Sequence, residues 1–219
     1  MQHLRMKTIE SLLPPKLWQL LRGRFGNRFE GDFASWQAAR QHSSGYEQGD
    51  IVARIAQAAR EVEAGRAAGE RDGVLLPEVD YAWAALACLL LVANLRGGSL
   101  KVVDFGGSLG TSYRQNRKFL QSLRDVRWGV VEQRSFVEAG KREFETQILR
   151  FFDDLDAAVR ELRPDVVFLS GVIQYLPDPT QFLDSLLTQP VEFLLFDRTP
   201  FIAGDRDRRW RYLRHRRGW

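Results

Sequence analysis

Hydrophobic and polar positions follow two regimes along the chain. From about residue 7 to 68, apolar residues recur at helical spacing in "TIESLLPPKLWQLLRG", "SWQAARQ" and "DIVARIAQAAREVEAG". In the last of these, Ile51, Ile55, Ala58 and Ala59 share one helical face. The intervening "RFGNRFEGDF" and "HSSGYEQG" are rich in aromatics and glycine, which suits an ordered cap better than an unstructured arm. From residue 81 the pattern changes. "YAWAALACLLLVANL" falls short of the roughly 20 apolar residues a membrane span needs, so it predicts a buried helix and no transmembrane segment. Short apolar runs follow, "LKVVDF", "VRWGVVE", "LRFFD", "PDVVFLS" and "VEFLLFD", separated by the helical stretches "YRQNRKFLQSLR", "SFVEAGKREFE", "LDAAVREL" and "DPTQFLDSLLTQ". Strands apolar on both faces and alternating with helices predict a parallel sheet covered on both sides. With right-handed crossovers this is an α/β fold with a doubly wound, Rossmann-like sheet. The expected organisation is an N-terminal helical cap or lid over residues 1–80, a Rossmann-like domain over 81–205 and an arginine-rich tail over 206–219.

A chain of 219 residues suits one such domain with a modest extension. Its formal charge of +4 invites a nucleic-acid reading, but the charge is local. The last fourteen residues, "RDRRWRYLRHRRGW", hold seven arginines and one aspartate, which leaves 25 basic against 27 acidic residues elsewhere. The folded part is therefore not basic, and no nucleic-acid partner is expected. The lone Cys88 excludes a disulfide framework and a cysteine-rich metal site, and reads as a small buried side chain. His3, His42 and His215 lack ligand spacing, so no metal is expected. The N-terminus has no cleavable signal pattern, which points to the cytoplasm. Nothing in the sequence sets an oligomeric state.

In doubly wound sheets, ligands lie outside the carboxyl ends of the strands. The unusual residues fall at those ends. "VVDFGGSLGTSY" is a strand running into a turn with three glycines, a shape that offers backbone N–H groups and permits close approach by a ligand. A nicotinamide dinucleotide fingerprint, G-x-G-x-x-G, fails because Phe105 takes the first glycine position. The D-x-G-x-G-x-G turn of S-adenosylmethionine enzymes fits better, at Asp104, Gly106 and Gly110, with Ser108 for the middle glycine and Gly107 between them. The second strand ends in "VVEQ", where Glu132, followed by Gln133, can accept both ribose hydroxyl protons of a nucleoside. The third ends in "FFDDLD", where Asp153 or Asp154 can receive an adenine amino group, Asp154 being equally a helix N-cap. The fourth runs through Ser170 into "SGVIQYLPDP". These four ends describe a nucleoside joined to an amino acid, not a pyrophosphate.

On these residues the chain resembles the class I, Rossmann-like S-adenosylmethionine-dependent methyltransferases. "VVDFGGSLG" is similar to their first motif, "VVEQ" to the ribose acid, and "DVVFLSGVIQYLPDP" to the fourth-strand motif, with Ile173, Gln174, Tyr175 and Leu176 standing where a histidine usually occurs. "DFGGSLGTSY…QNR", "VVEQ…FVEAGK", "LSGVIQYLPDP" and "FDRTPF", with upstream "FEGDFASWQAA…SGYE" and "ERDGVLL", resemble more narrowly a bacterial methyltransferase family often associated with surface-polysaccharide biosynthesis. The resemblance spans roughly residues 25 to 207. It implies S-adenosyl-L-methionine as cofactor and a small-molecule or glycan acceptor. It also implies two further strands after the fifth, including an edge hairpin. After "FDRTPFIAGDRD" only the arginine-rich end remains, so the C-terminal strands are expected to be missing. A truncation or shifted reading frame is one reading of that tail. A basic arm for an anionic surface is the other.

Methyl transfer requires the acceptor atom in line with the methyl group and, for a hydroxyl, a base. The candidates are His42 and Tyr46 in the cap loop "QHSSGYE", and Asp197 with Arg198 at the end of the fifth strand. The competing readings are a nicotinamide-dependent sugar-nucleotide oxidoreductase and a non-catalytic relative that binds S-adenosylmethionine.

Overall fold

The computed structural model describes residues 28–42, 49–200 and 211–213. The chain divides into two compact units, Met1–Gly45 with Ala203–Trp219, and Tyr46–Ile202. Among the described residues of the first unit are strand β1 (Arg28–Glu30) and helix α1 (Trp36–Gln41). Ser35 caps α1, its hydroxyl accepting the Ala38 N–H at 3.1 Å.

The second unit opens with α2 (Gly49–Glu63), then a hairpin of β2 (Gly69–Arg71) and β3 (Val74–Leu76). Asp72 and Gly73 form its tip with φ of 51° and 76°, the two left-handed residues of a type I′ turn. Next come α3 (Trp83–Leu95), β4 (Ser99–Phe105), α4 (Thr111–Leu120), β5 (Asp125–Val131), α5 (Arg134–Glu143) and β6 (Leu149–Phe152). After them follow α6 (Leu155–Leu162), β7 (Val166–Ser170), a 3-10 turn (Ile173–Tyr175), α7 (Pro179–Leu187) and β8 (Phe193–Asp197). The five strands β4 to β8 form one parallel sheet in the order β6-β5-β4-β7-β8. This is the expected α/β, Rossmann-like layout, with the strand order reversing between β4 and β7.

Side-chain alternation along each strand feeds two cores. Leu100, Val102, Trp128, Val130, Val166 and Phe168 face one, with residues of α2, α3 and α5. Val103, Val131, Val167 and Leu169 face the other, with Ala158 and Leu162 of α6 and Leu186 of α7. Burial on both faces is why these strands read as continuous apolar runs rather than alternating ones.

Four expectations change. Of residues 1–80, expected as a cap, α2 and the hairpin belong to the sheet-bearing unit. Val52, Ile55, Ala56 and Ala59 bury one face of α2 in the same core as Leu89, Phe136 and Phe144. Nor is the stretch before residue 80 wholly helical, since β1, β2 and β3 lie in it. Cys88 is exposed, because α3 buries only Ala85, Leu86, Leu89, Val92 and Ala93 while Trp83, Leu91 and Leu95 face outward. The tail contains a strand, β9 (Arg211–Leu213), paired antiparallel with β1 in the first unit. Backbone pairing requires no apolar alternation, so an arginine-rich segment can supply it. Among the described residues the parallel sheet ends at β8. No helix among them is long and apolar enough to cross a membrane.

Candidate functional site

The turn after β4 is fixed by its own backbone and by protein neighbours. Gly106 N–H donates to the Val131 carbonyl at 2.9 Å, and Gly110 N–H to Gly107 at 3.0 Å. Gly106 has φ +75° and Gly110 φ +88°, backbone that disfavours any side chain. Ser108 is left-handed too, with φ 56°. A Cβ on Gly106 would lie 2.6 Å from a Val172 methyl, one on Gly107 2.5 Å from the Asp104 carboxyl carbon, and one on Gly110 2.9 Å from a Leu149 methyl. The glycines are thus required by packing of the turn on the protein itself. Close approach of a ligand is an addition to that requirement, not its whole cause.

Asp104 lies beneath the turn. It shares a strand face with Val102, so alternation turns it into the core, where it is 1% exposed. The Trp128 indole N–H, one strand away, donates to Asp104 Oδ2 at 3.1 Å. Burial pushes the carboxyl up to about 7. Hydrogen bonds from Trp128 and Ser112 work against the rise, and the nearby Glu132 adds to it. Sequence reasoning placed Asp104 among the cofactor contacts. The structure places it buried beneath the turn, against Gly107.

Glu132, the first residue past β5, faces the turn from the neighbouring strand end. Its Oε1 accepts the Ser108 N–H at 3.3 Å and its Oε2 the Gln133 N–H at 2.8 Å. Burial raises its pKa, opposed by those two N–H groups. A carboxylate has about four acceptor positions, so capacity remains for further donors. Gln133 is exposed and is the N-cap residue of α5. At the end of β6, Asp154 caps α6 by accepting Ala157 N–H at 2.8 Å, and Asp153 beside it is exposed.

Beyond the reversal of strand order, Ser170 and Asp197 are register partners at the ends of β7 and β8. The Ser170 hydroxyl donates to Asp197 Oδ2 at 2.8 Å, and Arg198 Nε lies 3.5 Å from the same oxygen. Arg198 has φ 50°, an uncommon state for a bulky residue. Gln174 Oε1 is buried there without a hydrogen-bond partner. His42 lies in the first unit, exposed at the end of α1, with Nδ1 2.9 Å from the Ala38 carbonyl oxygen and its ring 5.3 Å from that of Phe33. Tyr46 lies outside the described residues. The structure therefore gathers the turn, Glu132, and the Ser170–Asp197–Arg198 cluster within one unit, and His42 belongs to the other.

Sequence reasoning missed Trp128 and Glu70. Trp128 reads as one more apolar strand residue, and its only signal is its register opposite Val102, two residues before Asp104. Glu70 is 2% exposed in a hairpin whose Asp72–Gly73 pair is a strong turn signal. Among the described residues no three His, Cys, Asp or Glu side chains are grouped to hold a metal ion.

No family model matches the sequence, and neither does any curated protein. Among solved structures, a chain from the complex between the Haloferax volcanii Trm112 methyltransferase activator and the putative methyltransferase is similar, at 18% identity and a TM-score of 0.40. The match covers 68% of this chain and spans 60% of the length of that one.

Proposed function

We propose that the chain binds S-adenosyl-L-methionine and transfers its methyl group to a small-molecule or glycan hydroxyl. The observation that carries this reading is Glu132, an acceptor at the end of β5 bonded to the glycine turn itself. A nucleoside fits these residues better than a pyrophosphate. The Ser108 N–H that could receive a phosphate already donates to Glu132, and two carboxyl groups flank the turn. The cofactor supplies an activated methyl group and needs no metal.

The chain's own residues divide the remaining work. Glu132 accepts from the two ribose hydroxyls, and exposed Asp153 accepts from an adenine amino group. Asp104 and Trp128 hold the turn from below. Asp197 takes the proton of the acceptor hydroxyl, oriented by Ser170 and Arg198, while Arg198 and Gln174 line the acceptor side. The family that the sequence resembles suggests an acceptor in surface-polysaccharide biosynthesis, with the reaction in the cytoplasm. Calorimetric titration with S-adenosylhomocysteine and with NAD tests the cofactor. Saturable binding of the first supports the reading, whereas binding of NAD alone overturns it.

A further inference from the structure

Glu70 is the middle residue of β2, paired with Leu75 across the hairpin, and it is almost wholly buried. One carboxylate oxygen accepts from the Thr111 hydroxyl and the other from Gly73 N–H at 3.2 Å. It also acts electrostatically on the buried guanidinium of Arg114, one turn further along α4. A buried carboxylate is strongly destabilising unless its acceptors are met. None of the roles assigned above uses it.

Its position explains what it can do. Gly106, Gly107 and Gly110 present no side chain by which the rest of the protein could hold the turn. Gly110 opens α4 without a side-chain cap, and Thr111 is the first helical residue after it. The Thr111 hydroxyl is therefore a handle on the exit of the turn, as Glu132 on Ser108 N–H is a handle on its middle. We propose that Glu70 is a positioning residue which, through Thr111, fixes the start of α4 and hence the glycine turn for the cofactor. This rests on the cofactor reading above.

Three variants separate positioning from charge compensation. Glu70→Gln keeps an oxygen to accept the Thr111 hydroxyl but loses the acceptor of Gly73 N–H at the hairpin tip and removes the charge facing Arg114. Thr111→Val removes the hydrogen bond but keeps the charge. Glu70→Ala removes both. If Glu70 positions the turn, Thr111→Val and Glu70→Ala each weaken S-adenosylhomocysteine binding by roughly ten- to 150-fold, the scale of one hydrogen bond to a charged group. Glu70→Gln then stays within about threefold of the wild type, and the Glu70→Ala/Thr111→Val double variant is no weaker than Glu70→Ala alone. If both Glu70 variants lower thermal stability alike while Thr111→Val binds normally, Glu70 serves only the charge of Arg114 and the proposal falls. Amide exchange at residues 108–112 in the ligand-free protein gives an independent readout. It should accelerate in Thr111→Val and Glu70→Ala but not in Glu70→Gln. If the wild type binds no S-adenosylhomocysteine, the cofactor reading fails, and the exchange pattern alone still decides whether Glu70 fixes the turn.

Discussion

The indole of Trp128 donates its N–H to Asp104 from the adjacent parallel strand, at 3.1 Å, with both side chains out of contact with water. The carboxyl thus has a fixed donor and almost no solvent, so its charge is costly, and burial lifts its pKa to about 7.

A pH dependence of stability follows. The folded chain holds the Asp104 proton more tightly than the unfolded chain, whose carboxyl titrates near 3.8. Stability from this group is complete below that value, is lost as pH rises to about 7, and is level above. The difference amounts to roughly 3–5 kcal/mol at about 1.36 kcal/mol per unit. Asp104→Asn is neutral throughout and keeps an oxygen for Trp128. Relative to this variant, the wild type should lose stability between pH 4 and 7 in denaturant titrations. A constant difference across that range would show that Asp104 is not titrating in the fold.

The turn should be intolerant of the smallest side chain for a reason internal to the protein. Gly107→Ala drives a methyl group into the Asp104 carboxyl, and such overpacking costs typically 1–3 kcal/mol. Asp104→Ala removes the group it strikes. In a double-mutant cycle the two substitutions should therefore be clearly non-additive. Additive losses would mean that the turn moves as a whole instead of pressing on Asp104.

Much of this was written in the sequence, and the gaps have physical causes. Continuous apolar runs such as "PDVVFLS" revealed a parallel sheet because both faces of each strand are buried. The ends of β4, β5 and β8 were found because Asp104, Glu132 and Asp197 interrupt those runs. What stayed hidden depends on contacts between distant residues. Trp128 meets Asp104 only through strand register, and Glu70 meets Thr111 across 41 positions. The strand Arg211–Leu213 escaped notice because its pairing with β1 uses backbone groups that no side-chain pattern reports. The same holds for the glycines, whose spacing suggested a ligand while their nearest neighbours are Val172, Asp104 and Leu149.

Glu132 should govern cofactor affinity and its pH dependence. Glu132→Ala removes the acceptor for two hydroxyl groups and should weaken S-adenosylhomocysteine binding by about 1.5–3 kcal/mol. It also strands the N–H groups of Ser108 and Gln133, so Glu132→Gln, which keeps one oxygen, should lie between. Burial raises the pKa of this carboxyl, and only the ionised form accepts at both oxygens. Wild-type affinity should accordingly rise with pH as Glu132 ionises, and Glu132→Gln should lack that rise. Calorimetric Kd values across pH measure both effects. A loss below twofold in Glu132→Ala would reject the ribose role.

Asp197 should affect turnover and leave cofactor binding alone. It sits at the end of β8, across the reversal of strand order from Glu132, and its Oδ2 is held by Ser170 and Arg198. Asp197→Asn keeps the shape and the Ser170 contact but cannot accept a proton. Loss of a general base typically lowers rate by about 10²–10⁴, so kcat should fall by that order with an unchanged Kd for S-adenosylhomocysteine. Ser170→Ala frees the carboxylate to turn and should slow the reaction less. His42 is exposed and its Nδ1 is engaged with the Ala38 carbonyl, so His42→Ala should turn over at nearly the wild-type rate. These rates require an acceptor identified from a panel of sugars, sugar nucleotides and small hydroxylated compounds. Should His42→Ala collapse turnover while Asp197→Asn retains it, the base belongs to the first unit, and the cluster at the end of β8 serves to bind the acceptor rather than to deprotonate it.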